Sequence, residues 1–413
     1  MNMKRGERDA QPPNAPEMTS PDQLDRFCAR VLTDVALQDK LRQPDDTNAF
    51  IALILQTARD FGFDLGADEV KAAMRGRLPG AEGLIDSGAR ETPLPPKGWL
   101  PVRASWHDGQ LYVHWSYFGD RRLCDPFFEG DVQRALFKPF NRLFRYATPI
   151  AKLADWLQAH PGLRPSGFIF HMSRCGSTLV SQMLAALARN IVISEADPID
   201  AVVRARQARP DVREDQQTRW LRWMIGALGQ PRGGERNYFV KLDCWHTLAL
   251  PLFRRAFPDV PWVFLYRDPI EVLASQMRMP GMQMIPGALG ADLFGIALSD
   301  RVQSPEDYCA RVLARICEPV LQQYSKGKTL LVDYRQLPQA VWTTIMPHFG
   351  IECSDSDRTT MAEAARYDAK TPSIEFTPDT DSKRQDATGA IRAAADEWLG
   401  ELYHRLEALR LGA

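Results

Sequence analysis

From Gly167 onward, short apolar runs alternate with longer segments of helical period. The runs at 167–172, 191–194, 237–241, 261–266 and 328–333 predict strands, and the stretches 177–189, 216–229, 247–257, 269–278, 305–323 and 336–349 predict helices. That alternation implies an α/β fold, a parallel sheet with helices on both faces in three layers. Upstream the period changes. Leu24, Phe27, Val31 and Leu32 share one helical face behind Ser20. Phe50, Leu53, Ile54 and Ala58 share another between Asp46 and Phe61, where Gly62 ends the helix, and a third helix runs to Met74. Then come Pro79, Pro93, Pro95 and Pro96 among scattered glycines, a linker. Two alternating runs follow, with Val102, Ala104 and Trp106 before Asp108-Gly109 and Leu111, Val113 and Trp115 after it. They predict a β-hairpin. Phe127 to Leu157 reads as helical. The expected organisation is a disordered tail (1–18), a small helical domain (19–76), a linker (77–97), a hairpin-containing segment (98–150) and an α/β domain (151–413).

Composition narrows the function classes. Apolar residues are 45% of the 413 and charged residues 25%, as in ordinary globular chains, and the net charge is −1. That balance gives no pull toward nucleic acid or an anionic membrane. The 7 cysteines show no short paired spacing, which argues against a zinc knuckle or a disulfide framework and leads us to expect a reducing cytoplasm. The first residues hold no apolar core of a secretory signal, and the cleanest apolar stretch, Phe50 to Leu55, is too short for a bilayer.

The chemistry concentrates in two turns. In "GFIFHMSRCGSTLVSQML" an apolar strand runs through a small polar loop into an apolar-periodic helix. Gly176 permits the tight turn, and backbone N–H groups at the helix start make an anion site to which Arg174, Ser177 and Thr178 add donors. The ATP-binding form of such a loop carries Gly-Lys-Ser/Thr. Here Ser177 follows Gly176, so the cradle is of another kind. The second turn is "VFLYRDPIEVLASQMR". Arg267 falls just past a strand's carboxyl end, where open α/β sheets bind ligands, Pro269 suits a helix start, and Ser275 lies a little over two turns further. An arginine and a hydroxyl so placed can grip one phosphate from two sides.

Together "SRCGSTL" and "YRDPIEVLAS", with "LLVDYRQL" and "MPHFGIE" after them, resemble the sulfotransferase family that uses 3′-phosphoadenosine-5′-phosphosulfate, over about residues 165–350. The resemblance implies a P-loop-type sheet, a 5′-phosphosulfate held by the loop Arg174, Cys175, Gly176, Ser177 and Thr178, and a 3′-phosphate held by Arg267 and Ser275. Cys175 stands where serine is commoner. It further implies donors to the transferring group from Arg174 and from Lys241 at the end of "NYFVK". In that family the base is a glutamate after the second strand, here Glu195, or a histidine after the third. There the family's Lys-x-His reads Lys241-Leu-Asp243, with His246 three residues on. Glu195 is favoured, then Asp243, then His246. A basic loop over the 3′-phosphate would fall at Lys383 and Arg384, although the local pattern departs from the usual one. The Met-, Pro- and Gly-rich stretch 278–294 reads as an acceptor lid. No metal is required, because a sulfuryl group carries less charge than a γ-phosphate. The acceptor would be a hydroxyl or amine of a small molecule, saccharide or peptide. Two other readings stand beside this one: a divergent P-loop kinase or NTPase, and a non-catalytic scaffold of nucleotide-binding fold. The first helices ("QLDRFCARVLTDVALQDKL", "ARDFGFDLGADEVKAAM") resemble the leader-type domain of nitrogen-fixation-associated and peptide-natural-product precursors, which implies a peptide or protein partner.

Overall fold

The computed structural model describes residues 20–75, 93–290, 293–296, 302, 304–325, 327–377 and 380–412. The expected tail, most of the linker and part of the 278–294 stretch lie outside the described residues. The chain divides into two compact units.

In the first unit, helices Ser20–Leu32, Val35–Leu41, Thr47–Asp60 and Ala67–Arg75 are joined by a later short helix, Pro139–Leu143. The helix Val35–Leu41 was not predicted. It starts because the Asp34 carboxylate accepts the Leu37 N–H at 3.0 Å, an N-cap hidden by the continuous apolar pattern around it. Phe27, Val31, Phe50 and Ile54 form the core, and Phe144 closes it, 6.4 Å from the rings of both Phe27 and Phe50. Ile51, not Leu53, completes the buried face of the third helix.

In the second unit the expected hairpin forms from β1 (Trp99–His107) and β2 (Gln110–Tyr117). Asp108 and Gly109 both adopt positive φ (46° and 76°), as a two-residue turn of this hand requires. The stretch expected to be wholly helical contains instead a third strand, β3 (Tyr146–Pro149), antiparallel to β2. Four residues are too few to show an alternation, and what fixes β3 is tertiary. The Trp115 indole on β2 donates to the Thr148 hydroxyl at 2.9 Å and packs, tilted by 54°, with its centroid 4.9 Å from that of Trp156. Trp115→Ala should therefore cost roughly 3–5 kcal/mol of stability, read as the loss in chemical denaturation midpoint at unchanged slope.

The main sheet consists of β4 (Gly167–His171), β5 (Asn190–Ser194), β6 (Asn237–Lys241), β7 (Trp262–Tyr266) and β8 (Thr329–Asp333). All are parallel, in the order β5-β6-β4-β7-β8, and helices flank the sheet. This is the α/β class read from the alternation. Each strand is nearly all buried, as parallel strands covered on both faces must be. The chain starts at β4, moves to one side, then returns to the other. The loops leaving β4 and β7 therefore emerge side by side at the carboxyl edge, where such sheets bind ligands. The helix expected over 336–349 begins only at Val341, in a π turn leading into Met346–His348, because Pro338 disfavours helical geometry at Leu337. No helix among the described residues is long and apolar enough to cross a membrane.

Candidate active site

The loop after β4 is bent by three residues with positive φ: Ser173 (82°), Arg174 (51°) and Gly176 (84°). Successive backbone N–H groups in such a bend converge on a concavity that suits an anion. The helix Ser177–Ala186 then starts without a side-chain cap on its first N–H groups, and its positive end faces the same hollow. A Cβ on Gly176 would lie 2.6 Å from Leu337 Cδ1 and 2.9 Å from Tyr334 Cδ2. Gly176→Ala combines that clash with a disfavoured φ, so we expect a loss of about 1–3 kcal/mol and a lower melting temperature.

Two side chains lock the bend. His171 accepts the Ser173 N–H on Nδ1 at 3.1 Å, which leaves the proton on Nε2 to reach the Leu242 carbonyl at 2.9 Å. Burial lowers its pKa, so the ring is neutral. The buried Ser173 hydroxyl accepts from the amides of Gln276 (3.0 Å) and Gln283 (3.1 Å), and Gln276 in turn accepts the Gly281 N–H at 2.9 Å. Thus the phosphate-type loop, the helix Pro269–Arg278 and the segment after it are one hydrogen-bonded unit. The sequence carried no signal for the glutamines, which look like ordinary helix and loop polar residues.

One cavity of about 560 Å³ gathers most of the residues nominated from sequence: Arg174, Cys175, Gly176, Ser177, Thr178, Glu195, Asp243, Arg267, Ser275 and Lys383. Their conditions differ. Arg174 is half-buried, and its guanidinium donates to the Met279 carbonyl at 2.6 Å. Cys175 contributes backbone only. Its thiol points into the core, donates to Leu265 O at 3.1 Å, and is pushed up to about 12 by burial. Arg267 is almost fully buried. It donates from Nε to Glu271 at 2.6 Å and lies 3.9 Å from the centroid of the Tyr334 ring, a cation–π contact that fixes the plane of the guanidinium. Lys383 is buried in the cavity wall. Its neighbour Arg384 does not line the cavity. It faces Glu271 from outside, at 2.9 Å, and so supports the Arg267 pair indirectly.

Lys241 and His246 were also nominated, and neither lines the cavity. Lys241 is fully buried, with its ammonium on the Glu195 carboxylate and 5.0 Å from the centroid of Phe127. It ends an interior strand, and a lysine side chain there reaches the nearest buried carboxylate rather than the edge. His246 sits behind Asp243 at 3.7 Å and hydrogen-bonds Asp200 at 2.9 Å. The Asp200 carboxylate also accepts from the Trp245 indole at 2.7 Å. Ligand-type atoms of Asp200, Asp243 and His246 come within 4.8 Å of one another, a spacing that the hydrogen bonds to His246 and Trp245 already explain.

The carboxylates diverge electrostatically. Burial alone would raise Glu195, but the Lys241 charge and the hydrogen bonds from His171 and Lys241 outweigh it and hold the carboxyl well below its usual range. Its φ of 53° aims it into that clasp. Asp243 goes the other way. Burial, opposed by His246 and aided by the nearby Glu195 charge, raises it to about 7. Further wall comes from Phe127, Glu129, Trp245 and Tyr334, and from residues 367–370 with Phe376, a segment that no sequence pattern had marked.

No family model and no curated protein matches the chain. Among solved structures it is similar to the sulfotransferase domain from the curacin biosynthetic pathway, at 15% identity over 57% of this chain and 98% of that one, TM-score 0.37. It is also similar to sulfotransferase STF9 from Mycobacterium avium (14%, 60% and 81%, 0.36). Retinol dehydratase in complex with androsterone and inactive cofactor PAP is a further such structure (14%, 63% and 84%, 0.27).

Proposed function

We propose that the chain is a sulfotransferase that moves a sulfuryl group from 3′-phosphoadenosine-5′-phosphosulfate to a hydroxyl or amine acceptor. The observation that carries the reading is that the Arg174–Thr178 turn and the Arg267/Ser275 pair, distant in sequence, open into one cavity. Its volume lies within the range of small-molecule sites. A nucleotide phosphorylated at both ends asks for two anion sites held apart by a rigid floor. The β4 loop, with its convergent N–H groups, supplies one. The planar, stacked Arg267 supplies the other.

In this reading the acceptor oxygen or nitrogen attacks sulfur in line. A new bond to sulfur forms as the bond from sulfur to the 5′-phosphate oxygen breaks. The electron pair stays on that oxygen, giving adenosine 3′,5′-bisphosphate, and the acceptor proton passes to a protein base. Fixed N–H groups and Arg174 stabilise the charge on the leaving phosphate. Asp243 is the better base. It lines the cavity and titrates near neutrality, whereas Glu195 is already neutralised by Lys241 and gains little by taking a proton. Lys241 then acts through Glu195, as a clasp between β5 and β6.

Isothermal titration with adenosine 3′,5′-bisphosphate tests the reading. We expect micromolar-range binding that needs no Mg²⁺, and release of the bisphosphate from the phosphosulfate donor when a panel of hydroxyl and amine acceptors is added. Absence of bisphosphate binding, with Mg²⁺-dependent turnover of ATP in its place, would overturn it in favour of a kinase or NTPase.

A further inference from the structure

We infer that Lys370, carried by the strap 366–376, is the cation that contacts the transferring sulfuryl group; the inference rests on the sulfuryl-transfer reading. The strap has a defined shape. Phe376 N–H donates to Arg366 O at 2.8 Å, Asp368 N–H to Ile374 O at 2.7 Å, and Tyr367 and Glu375 form an antiparallel bridge. At its tip the Asp368 carboxylate accepts the N–H groups of Lys370 (3.0 Å) and Thr371 (2.8 Å), a turn that sets the direction in which Lys370 leaves the backbone. The strap borders the cavity: Tyr367, Asp368, Ala369, Lys370 and Phe376 all line it, with Lys370 at its solvent-exposed side.

The other cations of the cavity have tasks of their own in this reading, Lys383 at the 3′-phosphate among them. Among the described residues the cavity's cationic side chains are Arg174, Arg267, Lys370 and Lys383. Arg267, held by Glu271 and Tyr334 beside the helix that bears Ser275, serves the 3′-phosphate in this reading. Lys241, the lysine that the sequence nominated for this task, stays behind Glu195. Lys370 lines the cavity that also holds the phosphate-type loop and the base wall, and after its own desolvation Arg174 and Glu195 are the charges that act on it most. In this reading a sulfuryl group on a nucleotide seated in the loop projects into the cavity that Lys370 lines. The ammonium there donates to its non-bridging oxygens while the sulfur–oxygen bond to the phosphate lengthens. Lys370 is not consumed, and neither gains nor loses a proton in the step.

The test compares two nucleotides that differ only in the sulfuryl group. Lys370→Ala should bind 3′-phosphoadenosine-5′-phosphosulfate about tenfold more weakly than wild type, while its affinity for adenosine 3′,5′-bisphosphate changes less than about twofold. Lys370→Arg should keep most of the discrimination. Retained bisphosphate binding also shows that the variant's site is folded. If both nucleotides weaken equally, or neither does, Lys370 is not at the sulfuryl position and the inference is wrong. If wild-type protein binds neither nucleotide, the sulfuryl-transfer reading itself fails, a result distinct from either of those.

Discussion

Arg267→Ala should weaken adenosine 3′,5′-bisphosphate by at least about 100-fold, since two charge-assisted hydrogen bonds to a phosphate are worth roughly 1.5–3 kcal/mol each. Adenosine 5′-phosphate, which lacks the 3′-phosphate, should lose less than about threefold, so the pair of ligands forms a cycle that isolates the contact. The substitution has a structural side effect with its own signature. Glu271 is as buried as Arg267 and, among the described residues, keeps Arg384 as its counter-charge when Arg267 is removed. Stability should fall, by less than the roughly 3–5 kcal/mol typical of breaking a buried pair. Arg267→Lys should recover the charge but not the flat stack on Tyr334, and should sit between the two, about tenfold weaker than wild type. Equal losses for both nucleotides would show that Arg267 supports the fold and not the 3′-phosphate.

Asp243→Asn should lower turnover by about 10²–10⁴-fold without changing bisphosphate affinity, the cost of removing a general base. The pH profile distinguishes it from a structural role. Burial raises the Asp243 carboxyl to about 7, so wild-type turnover should rise with pH in the neutral range, and the asparagine variant should be flat there. The charged groups facing Asp243 are His246, Glu195, Asp200 and Lys241. Glu195→Gln gives the contrasting result. Its folded-state pKa is depressed, so the stability it supplies is present above the unfolded carboxyl value and is lost as pH falls through the depressed one. At neutral pH the glutamine leaves the Lys241 ammonium buried without a counter-charge. Melting temperature should therefore drop, while the rise in turnover near pH 7 persists. If Glu195→Gln abolishes that rise and Asp243→Asn does not, the two roles must be exchanged.

The sheet was legible because its five strands are buried on both faces and read as uninterrupted apolar runs, each closed by a polar turn. The two arginine turns were legible for a related reason: a strand's carboxyl end followed by a small or proline-started helix restricts what the loop can hold. What the sequence withheld was side-chain direction. Lys241 and Asp243 are two residues apart, yet one turns into the sheet toward Glu195 and the other opens to the cavity. The contact between Lys241 and Glu195, which no sequence pattern announces, accounts for the first of these. Cys175 likewise sits in the loop and points away from it. The strap 366–376 was missed because its strands are a single bridge long and its shape depends on one aspartate side chain rather than on any period. The strand β3 was missed for the same reason, since pairing with β2 and the Trp115–Thr148 contact define it.

The most direct measurement is a crystal structure of the full chain with adenosine 3′,5′-bisphosphate. The account predicts one nucleotide spanning the cavity, its 5′-phosphate on the amides of Gly176, Ser177 and Thr178 and its 3′-phosphate within hydrogen-bond distance of Arg267 and Ser275. A nucleotide that touches only one of the two turns, or that binds elsewhere on the molecule, would contradict it.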